Sequence, residues 1–453
     1  MVDAAPAPEV PASLDRVARV GAGLLLLLGA GIIGVGALRL AFDTEWGTRL
    51  IVLGTVVAIL AIFTQLVSAA ARLMFVVLGG ALAFSLYAFE LYLSLKPTDI
   101  ERGQALIAAR RAHPDFRDHR TTKQLLEAYA ERGVTAWPML CPTFALPVHD
   151  GQSVLPLASV STSTTVWCNE SGQWIVVQTD AHGFVNPQGA SDDADVVLVG
   201  DSFAQGVCVP PADNLAGQLR ATGHSVMSLG CSGNGPLSAL GSLVEYAVPL
   251  RPKVVLWLFF ENNDLSDLDR ELGNDVLRSY LTAGRTQSLR TRQATVDRYW
   301  KAFMDQRGFA ESDEQERTSR AYRDFITLYR LRTLLGFRRH KPTKMLPFLK
   351  RVLARAQAEV TASNGQLVFV YLPAYERYAA QGVPWRDEVL ATVRTLGLPI
   401  IDFHRRLSDH PDPKQLFPLQ LSGHYTSAGY QLLAAQIQDF LGAGMLPERR
   451  SKE

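Results

Sequence analysis

The chain has 453 residues, 47% of them hydrophobic and 20% charged, with 45 basic against 44 acidic side chains. This excludes a disordered chain, and a net charge of +1 gives no support to a general nucleic-acid binder. At roughly 100–200 residues per domain the length suggests two to four domains. A mean hydropathy of +0.06 is high for a soluble enzyme and points to apolar residues gathered in one place.

They gather near the amino terminus. Residues 20–38 are nineteen uncharged residues between Arg19 and Arg39. Residues 50–71 are twenty-two uncharged residues between Arg49 and Arg72, and residues 73–95 are apolar apart from Glu90. A helix needs about 20 apolar residues to cross a bilayer. The pattern therefore predicts a tail at 1–19 and three transmembrane helices over 20–95, with a tight hairpin at Arg72. The first run is too long for a cleaved signal, and two more follow it. Arg16 and Arg19 precede the first span, and Lys96, Arg102, Arg110 and Arg111 follow the third. The charge bias therefore leaves the orientation open.

Residues 96–190 read as a linker and accessory α+β region. A helical stretch runs over about 100–132, and a hairpin over 166–178 turns at Ser171-Gly172. Five short, continuously apolar runs follow, at 195–200, 225–230, 253–260, 366–372 and 399–403. Strands covered on both faces have this pattern, so the expectation is a doubly wound α/β domain over 191–445 with a five-stranded parallel sheet. Residues 270–360 form a polar helical insertion. Residues 281–345 carry fifteen basic and seven acidic side chains, a net +8. This is either a solvated insertion or a lid whose basic face meets lipid headgroups or an anionic polymer.

Cys141, Cys168, Cys208 and Cys231 form no CxxC pair, so zinc spacing is absent, and nothing in the sequence implies a metal or cofactor. Four cysteines permit three pairings. At least one bridge, Cys141–Cys168 among the candidates, is expected if the domain lies outside the cytosol; four buried thiols are the alternative.

Sites in open parallel sheets form at the carboxyl ends of strands. There the sequence places Gly200-Asp201-Ser202, then Gly230-Cys231-Ser232-Gly233-Asn234, then Glu261-Asn262-Asn263-Asp264, and near the end Ser422-Gly423-His424. Singly, each reads as a cap or a turn. Together, in order and at strand ends, they resemble the SGNH (GDSL-type) hydrolases over about residues 195–440. The resemblance implies Ser202 as nucleophile and His424 as general base. It also implies an oxyanion hole made of the Ser202 and Gly233 N–H groups and the Asn263 side-chain amide.

The chain departs from the family at two places. Leu421 stands where DxxH has its acid, and Glu261 stands where a glycine precedes Asn-Asp. Three readings of the first departure remain open: a Ser–His dyad oriented by a backbone carbonyl, a substitute acid from among Asp402, Asp409 and Asp412, or a weakened site. Asp180-Ala181-His182 forms a DxH pair, but its gap to Ser202 is short, and DAHGFVNP reads more simply as a turn.

The resemblance implies a membrane-anchored esterase or acyl transferase of the bacterial envelope. Its substrate would be an acyl ester, by expectation an acetylated glycan, and transfer would need a membrane acyl-donor partner. The catalytic domain is expected on the extracytoplasmic side. The alternatives are a catalytically inactive binding protein with this fold and a phospholipase or lysophospholipase.

Overall fold

A computed structural model describes residues 11–39, 44–95, 99–146, 154–189, 194–307, 325–335, 342–379 and 383–442. The parts of the basic insertion at 308–324 and 336–341 lie outside the described residues. The chain divides into two units: Met1–Pro97 with Glu314–Arg338, and Thr98–Asp313 with Arg339–Glu453.

The first unit holds α1 (Ala12–Arg39), α2 (Thr44–Leu66) and α3 (Ala69–Ser94). The first helix begins at Ala12, so residues 12–19 extend the apolar helix where the sequence suggested a tail. Two helical stretches, Ala12–Leu38 and Ala69–Ser94, are long and apolar enough to cross a membrane; between them Leu50–Leu66 is apolar but shorter. Among the described residues, then, two of the three expected spans reach full length. The uncharged run 50–71 is divided at Ser68, whose hydroxyl accepts from Ala71 N at 3.4 Å and starts α3. Arg72 thus falls in the first turn of α3, where it is buried. Its guanidinium donates to the carbonyls of Thr64 at 2.8 Å, Gln65 at 3.2 Å and Val67 at 3.0 Å, and pairs with Asp15. It therefore satisfies the open carbonyl end of α2. Gly29 and Gly54 let α1 and α2 touch backbone to backbone: a Cβ on Gly54 would lie 2.7 Å from Gly29 O.

In the second unit the five apolar runs become β4 (Val196–Val199), β5 (Val226–Ser228), β6 (Val254–Phe260), β7 (Gln366–Leu372) and β8 (Ile400–Asp402). The sheet order is β5-β4-β6-β7-β8, and every pairing is parallel. The period of two sends Val255, Trp257 and Phe259 of β6 into one core, and Val254, Leu256 and Leu258 into the other. Helices cover both faces, so the sheet is the α/β architecture expected. Trp257 is fully buried at its centre, where truncation to Ala is worth about 3–5 kcal/mol.

The accessory region contains α4 (Asp99–Ala112), α5 (Thr122–Ala130), α6 (Pro142–Ala145), and a small sheet of β1 (Ala136–Pro138), β2 (Thr164–Cys168) and β3 (Ile175–Gln178). The expected hairpin is β2–β3, with an irregular register between Val166 and Cys168. Two disulfides fasten this region to the loops at the carboxyl end of the large sheet: Cys141–Cys231 and Cys168–Cys208. Cys141–Cys168 is therefore not a pair. Each of these cysteines faces a loop of the larger sheet, at sequence separations of 90 and 40. Loops of that length correspond to about 4 kcal/mol of lost unfolded-state entropy each.

Candidate active site

The first strand of the large sheet, β4, runs into Gly200 at φ +149°, a conformation that favours glycine, and a Cβ there would sit 2.8 Å from Leu258 O. The chain then turns into α7 (Ser202–Gln205), with Asp201 at its N-cap accepting from Phe203 N at 2.9 Å. This turn lifts Ser202 to the carboxyl end of β4, next to the central strand β6, where it is 8% exposed.

The neighbouring strands bring the other groups. Asn263 Nδ2, after β6, donates to Asp201 Oδ2 at 3.3 Å and keeps a second amide hydrogen. The loop after β5 is held from two sides. Ser232 N and Oγ donate to Gln205 Oε1 at 3.0 Å each, tying the loop to α7. Glu271 accepts from Gly235 N, Leu237 N and Ser238 N at 2.8–3.2 Å. Burial still raises the Glu271 carboxyl to about 7 against those three donors. Gly233, at φ +74°, lies within this braced loop.

His424 Nε2 lies 2.7 Å from Ser202 Oγ. The Phe203 ring packs against the imidazole with centroids 5.0 Å apart. The partner on the other ring nitrogen is Glu170, an acid the sequence reading did not single out. Its Oε1 is 3.2 Å from His424 Nδ1, and its Oε2 accepts from His424 N at 2.9 Å. Arg110 of α4 backs it, 3.2 Å from Glu170 and donating to Ser422 O. Gly423 makes room for this cluster: a Cβ there would lie 2.6 Å from both Arg110 Nη2 and Glu170 Oε2. The Cys168–Cys208 bridge lies alongside, with Cys208 Sγ 3.6 Å from His424 Nδ1.

The electrostatics follow from this packing. Burial works against an ionised Glu170, but the imidazolium charge and hydrogen bond, with the Arg110 charge, hold its carboxyl down at about 2. Burial pushes His424 down, yet Glu170 outweighs it and the imidazole is raised above its ordinary value. An imidazole with Nδ1–H on a carboxylate presents a bare Nε2 to the serine hydroxyl, the arrangement a general base needs.

The structure brings Ser202, His424 and Asn263 together and leaves the three substitute acids elsewhere. Asp402 pairs with Arg386 and, at 3.4 Å, Arg405. Asp412 accepts from Lys414 N, and Asp409 ends the helix Phe403–Ser408. These three candidates are corrected to Glu170. Leu421 closes the turn Pro418–Gln420, and the carboxylate that its position lacks arrives from the β2–β3 turn instead. Glu261 does not charge the site. It is buried in a pair with Arg377, reinforced by the Tyr371 hydroxyl and by Ala374 N at 2.8 Å. Asp180 of the DAH segment accepts from His182 N at 2.8 Å, Phe184 N at 3.0 Å and Asn186 Nδ2 at 2.8 Å, which is turn chemistry.

Glu170 lies 254 residues from His424, and its only local signal is a carboxylate two positions after a cysteine in a hairpin turn.

No protein-family model matches the sequence, and no curated protein does. Among solved structures, the chain is similar to the lipase/acylhydrolase from Enterococcus faecalis, at 15% identity and a TM-score of 0.32, over 57% of this chain and 100% of that one. It is also similar to an acetyl-xylooligosaccharide esterase from Geobacillus Stearmophilus, at 14% identity and a TM-score of 0.30, over 57% of this chain and 100% of that one.

Proposed function

We propose that the chain is a membrane-anchored serine hydrolase of the SGNH type, acting on acyl esters through Ser202, His424 and Glu170. The observation that carries this reading is the hydrogen bond between Ser202 Oγ and His424 Nε2, with Glu170 3.2 Å from the other ring nitrogen, His424 Nδ1. His424 takes the hydroxyl proton as Ser202 Oγ adds to the ester carbonyl. The oxyanion is received by the Ser202 and Gly233 N–H groups and the free hydrogen of the Asn263 amide, each donor being worth about 10²–10³ in rate. Collapse expels the alcohol, which takes its proton from His424, and leaves an acyl-serine. Water releases the acid, or an acceptor hydroxyl takes the acyl group.

Glu170 removes the ground for reading the protein as an inactive binder, since that reading rested on Leu421. The apolar helices support membrane attachment. The two disulfides support a catalytic unit on the oxidising, extracytoplasmic side. On that side, acetyl esters of envelope glycans are the proposed substrates, and transfer would require a membrane partner supplying the acyl group.

The test is a fluorophosphonate probe applied to the full-length protein in detergent, with the adduct located by mass spectrometry. Labelling at Ser202 that disappears in Ser202→Ala and His424→Ala supports the reading. A folded protein that stays unlabelled at Ser202 overturns it.

A further inference from the structure

Glu90 sits in an apolar helix, one turn from its end, and is buried. A carboxylate there needs partners. It finds them in the insertion: Oε1 accepts from Arg330 N at 2.9 Å, and Oε2 from Leu331 N at 2.8 Å. These are N–H groups of the first turn of the helix Tyr329–Leu334. The exchange is reciprocal, because Arg330 Nη1 donates to Leu93 O at 2.7 Å near the carboxyl end of α3. One turn earlier, Tyr87 donates its hydroxyl to Ile326 O at 3.0 Å and packs its ring 5.6 Å from that of Phe325. Residues 325–335 are thus fastened to the last turns of the apolar helix largely through backbone groups.

Three apolar side chains of the segment face outward. Leu334 is 62% exposed, Leu335 59% and Ile326 48%. On α3 beside them Leu91, Tyr92 and Leu95 are also more than half exposed. Leucines interspersed with arginines, tied to the aromatic end of an apolar helix, match the headgroup boundary of a bilayer: apolar side chains reach about 5–10 Å inward and basic ones stay at the phosphates.

We propose that Phe325–Leu335 is an interfacial membrane segment, with Ile326, Leu334 and Leu335 seated in the lipid boundary where α3 leaves the bilayer. The inference rests on the membrane attachment argued above. It assigns the basic insertion a role: residues 314–338 belong to the unit of the apolar helices, while the chain on either side belongs to the catalytic unit. The chain therefore passes between the two units three times.

The test uses the full-length protein in liposomes containing anionic lipid. The four native cysteines are bridged, so a single introduced cysteine takes an environment-sensitive fluorophore. Leu334→Cys and, independently, Leu335→Cys are labelled, with Leu82→Cys on α3 and Lys301→Cys on the catalytic unit as references. The proposal expects blue-shifted emission at 334 and 335, most of it lost to lipids carrying a quencher, as at 82 and unlike 301. Water-like emission at 334 and 335 beside a quenched 82 overturns this proposal alone. Blue-shifted emission that lipid quenchers do not reach also overturns it, because protein then covers the leucines. An unquenched 82 overturns the membrane reading and this proposal with it.

Discussion

Glu170→Gln is the most informative single change, because a glutamine cannot satisfy both groups that the carboxylate serves. Glu170 accepts from His424 N with one oxygen and faces Nδ1 with the other. If the glutamine oxygen stays on the backbone N–H, its amide NH₂ faces Nδ1. The ring must then carry its proton on Nε2, which can no longer accept from Ser202. An acid-to-amide change that inverts the tautomer in this way costs about 10⁴ in kcat. If the glutamine flips, the tautomer is right but the backbone N–H is left facing a donor. That costs about 1–3 kcal/mol, a factor of roughly 5–150 in the population of the competent arrangement. The expected fall in kcat therefore lies between about fivefold and 10⁴, with KM little changed. Steady-state hydrolysis of p-nitrophenyl acetate measures it, with circular dichroism to verify the fold. A folded Glu170→Gln protein with kcat within about twofold of the parent would refute the assignment of the acid.

The pH dependence has a definite sign. His424 must be neutral to act and its folded value is raised, so the acidic limb of kcat/KM should fall above the ordinary histidine value of 6.5 and move down in Glu170→Gln. Glu170 is held at about 2 against an ordinary 4.5. Its contribution to stability is complete above 4.5 and lost as the pH falls from 4.5 towards 2, a loss that melting curves should show reduced in Glu170→Gln. Gly423→Ala places a methyl 2.6 Å from Glu170 Oε2 and Arg110 Nη2. It should lower kcat by at least tenfold, roughly 1.4 kcal/mol, without a comparable loss of melting temperature. Cys168→Ser with Cys208→Ser should lower kcat towards the Glu170→Gln level and add nothing to that variant, since both changes act on the same acid; additive losses in the combined variant would separate the bridge from the acid.

The large sheet was legible because burial on both faces leaves runs such as VVLWLFF, and each of the five apolar runs contains one of its strands. That Ser202 and His424 would meet was legible because strand ends concentrate chemistry and their local motifs are contiguous. The orienting acid was not. Nothing in a one-dimensional pattern ties residue 170 to residue 424, and the contact exists only once β2–β3 folds against the sheet. The cysteine pairing failed for the same reason: Cys141 and Cys168 are close in sequence, but each bridges to a loop of the larger sheet. Glu261 adds a charge next to Asn263 in sequence, and only Arg377, brought in after β7, shows it to be paired.

Under the function proposed above, the Cys168–Cys208 bridge bears on when the candidate site becomes complete. It joins the stretch bearing Glu170 to the stretch just past Ser202, so two parts of the candidate site on separate sheets are brought into register by an oxidation. In a reducing compartment a newly made chain would hold Ser202 and His424 while Glu170 was secured by Arg110, His424 and packing, without the covalent tie two residues before it. Ester cleavage would then be dormant during synthesis and would mature on export. The covalent step that strengthens the fold would also act as the enzyme's activation, sparing the esters of the compartment in which it is made.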